Sequence, residues 1–219
     1  MTRVCEAVNV QPPKSNEFNG AADQPAVPQN EPADPEPRRP RVTSLQIELV
    51  EDAGNWSTFG DIATVIALVQ DAADAVAGAA PVASRLPGKG RIAEAVVALS
   101  SDAEISILNG QYRGKPKPTN VLSFPAAAAA FPGGDTTDPV SIGDIVLASE
   151  TVLSEAVEMG ISPADHLRHL VVHGLLHLLG YDHIEAAEAD EMEALESQIL
   201  ATMGIADPYA GSELVDAPT

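Results

Sequence analysis

The stretch HGLLHLLGYDH (173–183) carries three histidines in eleven residues. On a helix running to Gly180, His173 and His177 stand at i and i+4 on one face, where two imidazoles can bind one metal ion. Gly180 then ends the helix in a left-handed cap, and the chain turns His183 back towards the same point. All five histidines of the chain fall between 166 and 183. A single histidine on an apolar helix face is an ordinary core residue. Three at this spacing, embedded in a leucine run and followed by a glycine turn, point to a metal site at His173, His177 and His183. Neutral imidazoles favour zinc, one ion per chain, at about 2.0–2.1 Å per nitrogen, and three protein ligands leave a fourth position for water, as in catalytic rather than structural sites. Zinc acidifies that water towards a pKa of about 7 and polarises a phosphoryl or carbonyl oxygen. Nickel and other divalent ions also take imidazole ligands. Asp182 either orients the third ligand or caps the turn. His166 and His169, upstream on the same helix, are expected to line the cleft or the surface rather than to ligate.

The spacing H-x-x-x-H-x-x-G-x-x-H is similar to that of the metzincin zinc proteases, in which a Glu follows the first His and acts as general base. Here that position is Gly174. A metzincin-like zinc protease is therefore one reading of the site, and the missing carboxylate counts against it. The segment QYRGKPKPTNVLSFP (111–125) supplies a different lead, because Arg113, Lys115 and Lys117 crowd into five positions. Arg113 can grip a phosphate with two parallel hydrogen bonds, while Lys115 and Lys117 act as point charges. A solvated loop stiffened by Pro116 and Pro118 is the plainer account of the same residues. Beside a three-histidine metal, an anion clamp suits a phosphodiester substrate, whereas a peptide has no need of one.

The elements that must position these groups alternate along the chain. LQIELV (45–50) alternates apolar and polar residues as a strand does, AEAVVALS (93–100) reads as a buried strand, and NVLSFP (120–125) and SIGDIVLA (141–148) complete a set of four. Ser57 is expected to cap a long helix running to about Ala79, with PVASRLPGKG after it as loop. Ser101 and Glu104 form a capping box for a helix through about Tyr112. SETVLSEAVEMG is a helix stopped by Gly160, and Ser162-Pro163 opens the histidine helix. A last helix, about Glu185 to Met203, is acidic on one side, with Met192, Leu195, Ile199 and Leu200 on the other. AAAAAFPGGDTTD reads as loop. This mixture, without a strict strand–helix–strand rhythm or a phosphate-binding glycine fingerprint, predicts an α+β fold: a small mixed sheet of about four strands packed with about five helices.

Length and composition set the limits. A chain of 219 residues with 45% apolar content supports one sizeable core, and an aromatic share of 4% requires that core to be built from Ala, Val, Leu and Ile. Residues 1–41, rich in Pro, Asn, Gln and Glu, read as a disordered extension ahead of one domain at 42–209, with 210–219 as a flexible tail. Cys5 is the single cysteine, which excludes an intramolecular disulfide framework and a cysteine-based metal site. No apolar run reaches the roughly 18 residues a membrane helix needs, and we expect a soluble, cytoplasmic protein without a membrane partner. The net charge of −20 weakens long-range attraction to nucleic acid, so a basic patch must act locally.

Together these stretches resemble the bacterial YbeY endoribonucleases, metal-dependent rRNA maturation factors. The resemblance covers about residues 42–209 and rests on ALSSDAEISILN, YRGKPKPTNVLSFP, GDIVLASETVLSEA, HLVVHGLLHLLGYDH and EMEALESQIL. It implies a single-strand-specific zinc-dependent endoribonuclease acting in rRNA processing, including the 3′ end of the small-subunit RNA, and in ribosome quality control. It places the three zinc ligands on His173, His177 and His183 and the functional arginine on Arg113. Arg113 and His173 are accordingly the expected catalytic residues, and Arg113, Lys115 and Lys117 the expected substrate-binding ones. Partners would be single-stranded or ribosomal RNA, the small ribosomal subunit and an assembly GTPase that offsets the weak attraction of an acidic protein to RNA, with no DNA expected. An assembly factor with a structural zinc is the remaining alternative. Where the family usually has K-D-K-P-T, this chain has Lys115-Pro116-Lys117-Pro118-Thr119, which loses an acid away from the metal ligands. The proline-rich extension lies outside the family pattern.

Overall fold

The computed structural model describes residues 45–87, 91–126 and 138–210. The expected N-terminal extension, the alanine-rich loop from 127 onwards and the tail from 211 onwards lie outside the described residues. The four expected strands are present: β1 (Leu45–Glu51), β2 (Ala93–Ser100), β3 (Val121–Pro125) and β4 (Val140–Ala148). They form one sheet in the order β1-β2-β4-β3, with β1, β2 and β4 parallel and β3 antiparallel to β4. The α+β fold with a mixed four-stranded sheet is as expected. Six α-helices occur among the described residues against about five expected, the extra one being short.

Parallel neighbours require a crossover, and α1 (Ile62–Gly78) with α2 (Ala80–Ala83) supplies it between β1 and β2. Val65, Leu68, Val69, Ala72, Ala73 and Val76 of α1 recur every three or four residues, and all are buried. Two expectations fail here. Ser57 does not start this helix: Trp56–Phe59 is a separate 3-10 turn capped by Asn55, and Gly60 at φ 126° breaks the run so that Asp61 caps α1 through the Thr64 N–H. Only glycine takes that backbone conformation at little cost, so the helix restarts after it. The segment expected as loop holds α2, with Pro81 in its first turn, where a missing N–H costs nothing.

The sheet has two covered faces. Ile145 and Leu147 of β4 join Val65, Val69, Leu170, Val171 and Leu175 in the main core. The alternate residues Leu122, Ala148 and Val146 pack with Ile105 and Leu108 of α3 (Asp102–Arg113) in a second, smaller core. Strand periodicity of two makes this division, since neighbouring residues point to opposite faces. Ser101 accepts from the Glu104 N–H and caps α3 as expected. The N-termini of α3 and α4 (Ser149–Met159) cap one another: Asp102 accepts from the Thr151 backbone and hydroxyl, and Glu150 accepts from the Asp102 N–H. α5 (Pro163–Leu178) is buried nearly all round, against α1, β3, β4 and α6 (Ala186–Thr202). Pro163 occupies its first position, but the Ser162 side chain makes no capping bond.

Candidate metal centre

α5 ends in a hydrogen-bonded cap that sets the site. The Gly180 N–H donates to His177 O at 3.0 Å and the Tyr181 N–H to Leu176 O at 3.0 Å, with Gly180 at φ 81°. This paired arrangement satisfies the last carbonyls of the helix and needs a residue that tolerates a left-handed backbone. Arg85, just past α2, secures the turn from outside. Its guanidinium donates to Leu179 O and Gly180 O and lies 3.8 Å from the centre of the Tyr181 ring. Asp182 accepts from the His183 N–H at 2.8 Å, so of its two expected roles the structure shows the turn cap.

The result brings His173, His177 and His183 together, with one ring nitrogen of each lying within 4.8 Å of those of the other two. His173 and His177 are half-buried and His183 is exposed, so the centre is open on one side. Hydrogen bonding assigns the protons. His177 Nδ1 lies 3.1 Å from Tyr181 O, and His173 Nδ1 lies 3.3 Å from a carboxylate oxygen of Glu196. Both partners can only accept, so a proton sits on each Nδ1 and each Nε2 is the nitrogen turned towards the centre. Burial, then the neighbouring His173 and His183, lower the His177 pKa from 6.5 to about 4, so it has no second proton to offer near neutrality. The two Nε2 atoms face each other at 3.1 Å. Both ring nitrogens are thus turned to one point, with a spacing close to that of two ligands on one cation. Tetrahedral zinc with bonds of 2.0–2.1 Å spaces its nitrogens at about 3.3 Å, so the imidazoles present fit the group.

Gly174, in the position where a metzincin holds its general base, faces the sheet rather than the centre. A Cβ there would lie 2.8 Å from Ile145 Cδ1 and 3.1 Å from both Cγ atoms. The close approach of α5 to β4 therefore occupies the volume a glutamate would need.

His166 and His169 do not ligate in this arrangement, but the expected location fails for His166. It is 2% exposed, with Nε2 2.9 Å from Glu155. Burial lowers its pKa and outweighs the raising effect of Glu155, so the neutral ring is favoured. Asn120, at the end of the basic segment, donates to the same Glu155 oxygen, so this network ties the start of β3 through α4 to α5.

The remaining expected site residues belong to the end of α3 and the loop after it. Arg113 is the last residue of α3, and Arg113, Lys115 and Lys117 are all exposed. Gly114 caps α3 in the left-handed region, the Lys115 N–H donates to Asn109 O, and the buried Asn109 amide donates to Lys117 O. The loop backbone is thus held while its cationic side chains project into solvent. Beyond it β3 packs against α5, which places the segment in the chain between α3 and the histidine helix.

Glu196 was not singled out by the sequence. It is fully buried in α6, with Oε1 2.6 Å from His169 Nε2 and Oε2 2.9 Å from the Tyr209 hydroxyl. Burial alone would raise its pKa, yet hydrogen bonds from His169 and His173 outweigh it and hold the carboxyl near about 2. The Tyr209 pKa is raised by burial and by the adjacent Glu196 charge, so its hydroxyl stays a donor. A signal was available: Glu196 stands four residues after Met192 and four before Leu200, on the apolar face of its own helix.

Fold and site define a class: an α+β domain with an open three-imidazole centre at the capped end of a buried helix. The model of the family Endoribonuclease YbeY matches residues 54–204, and the chain belongs to that family. It is 47% identical over 170 residues to an endoribonuclease YbeY of Rhodospirillum rubrum, covering 77% of this chain and 84% of that one. It is 50% identical over 162 residues to one of Azorhizobium caulinodans, covering 74% and 94%. A solution structure from Thermotoga maritima, 22% identical, aligns over 80% of this chain and 99% of that one with a TM-score of 0.44. No helix among the described residues is long and apolar enough to cross a membrane.

Proposed function

We propose that this chain is a zinc-dependent, single-strand-specific endoribonuclease of rRNA processing, acting in the cytoplasm on the 3′ end of the small-subunit RNA and in ribosome quality control. The observation that carries the metal half of this reading is the pair of Nε2 atoms facing each other at 3.1 Å, with His183 closing a third side. Family membership carries the RNA half. His173, His177 and His183 would hold the ion, and the catalytic unit spans 42–209. Bound zinc supplies Lewis-acid chemistry, polarising a phosphoryl oxygen and acidifying the attacking hydroxyl.

The chain's own residues supply the rest. Glu196 and Tyr181 O hold the Nδ1 protons of His173 and His177, which keeps their Nε2 atoms available to a cation. Arg113 clamps a phosphate oxygen of the backbone, with Lys115 and Lys117 adding attraction along the strand. Exposure of these cations suits a flexible single strand, whose phosphates need not match a rigid spacing. The small ribosomal subunit and an assembly GTPase would deliver an enzyme whose overall charge of −20 opposes free encounter with RNA. The attacking hydroxyl is either water or the RNA 2′-OH, and a 2′,3′-cyclic phosphate on the upstream product identifies the latter.

The test compares wild type, Arg113→Ala and His177→Ala on single-stranded RNA, with and without added zinc, after circular dichroism shows each to be folded. Cleavage should need zinc, be abolished in His177→Ala and be reduced in Arg113→Ala. Equal cleavage by all three would assign the activity to a contaminant.

A further inference from the structure

We infer that Glu196 is a positioning residue of the metal centre: its buried carboxylate keeps the proton on His173 Nδ1 and so aims the Nε2 lone pair at the ion. The inference rests on the three-histidine reading above and extends it to a residue on a different helix. A carboxylate is an unexpected occupant of position 196. Met192, Leu195, Ile199 and Leu200 around it on α6 are buried apolar residues, and Glu196 is 0% exposed. Burying a charge is costly unless it is paired and hydrogen-bonded, so such a residue persists where its partners make use of it.

Its partners form an ordered set. Oε1 meets His169 Nε2 at 2.6 Å, a close polar contact from one turn upstream on α5. Oε2 accepts from the Tyr209 hydroxyl at 2.9 Å and faces His173 Nδ1 at 3.3 Å. His169 and Tyr209 therefore hold the carboxylate from two sides and leave one oxygen directed at the ligand histidine. The Tyr209 arm is itself fixed, since Asp207 accepts from both the Tyr209 N–H and the Ser197 hydroxyl on α6.

The physical effect has two parts. An acceptor-only group at Nδ1 selects the tautomer whose Nε2 is free to ligate, and its negative charge makes that nitrogen a better donor to a cation. His177 has the first part alone, from the neutral carbonyl of Tyr181. Glu196 thus distinguishes two ligands that look equivalent in sequence. Loss of such an outer partner typically weakens metal binding by about 10–100-fold.

Zinc affinity is measured by competition with a chromophoric chelator for wild type and Glu196→Gln, with circular dichroism verifying the fold. The tautomer of His173 is read by 15N NMR on the zinc-free wild type at neutral pH. We expect folded Glu196→Gln to bind zinc about 10–100-fold more weakly, and the His173 proton to reside on Nδ1. Equal affinity in the folded variant, or a proton on Nε2, overturns the inference while leaving the three-histidine site standing. If Glu196→Gln does not fold, the tautomer in the wild type decides alone. If wild type itself binds no zinc, the metal reading falls first and takes this inference with it.

Discussion

The end of α5 and the end of α3 both carry groups we propose for the reaction, yet they are constrained differently. Around the histidines both the turn and the rings are held: Arg85 holds the turn, Asp182 caps it, and Glu196 and Tyr181 O hold the ring protons. At the basic loop, Asn109 secures the backbone, whereas Arg113, Lys115 and Lys117 extend into solvent. The difference suits the roles we propose for each. A metal ion needs donors placed to within tenths of an ångström, and misplacement forfeits the bond. A phosphate backbone is met by long cationic side chains whose attraction falls gradually with distance, so holding the backbone suffices.

Substitutions at the two ends should therefore separate. The largest effect belongs to His177→Ala, which removes one of the two facing Nε2 atoms: RNA cleavage should drop by about a thousandfold or more, read by single-turnover kinetics, with zinc affinity lost alongside. Retained zinc affinity would show that the centre tolerates the same looseness as the loop. Gly174→Glu comes next and asks whether the carboxylate of a protease can be accommodated. With Ile145 in its place, it should lose about 2–4 kcal/mol of stability in denaturant titration, without gaining casein cleavage. Unchanged stability would mean that α5 can draw back from β4.

Arg113→Ala should lower cleavage about 10–100-fold while moving the melting temperature by less than about 2 °C, and raising the salt concentration should narrow the gap from wild type. A large loss of stability would break the contrast, because the loop would then be structural. Arg85→Ala lies between the regions in kind: it should cost about 1–2 kcal/mol and weaken zinc binding severalfold through the turn that carries His183, measured by melting and chelator competition. The smallest expected effect is a pH slope. Because burial lowers the His166 pKa below its ordinary 6.5, the unfolded chain binds the proton first. This contribution to stability is complete above about pH 6.5 and is lost as pH falls through the lowered value. His166→Gln should flatten that part of the stability profile between pH 7 and 5.

The strands and the histidine helix were readable because each depends on local periodicity. LQIELV alternates, α1 and α5 repeat apolar residues every three or four positions, and Ser101 and Gly160 act as start and stop signals within their own turns. Misreadings came where a distant or strained feature decides. Ser57 looked like a cap, but Gly60 adopts φ 126° and moves the helix start to Asp61. His166 was expected at a cleft or surface, but α4 brings Glu155 over it. Arg85 lies in a stretch that reads as plain loop, and tertiary packing lays it on the Tyr181 ring. Glu196 reads as one more acid of an acidic helix, whose other acids lie mostly in solvent.

By itself the sequence determined the three imidazoles proposed as ligands, the i and i+4 spacing of the first two, the glycine turn that returns His183 and the basic segment before β3, because each is a short-range property of consecutive residues. The tertiary structure alone decided which nitrogen of His173 faces the centre, since Glu196 approaches it from another helix. It also decided that position 174 has no room for a carboxylate, since Ile145 comes from another strand. Proton placement and free volume are set by the groups packed around a residue, and packing joins residues far apart in the chain.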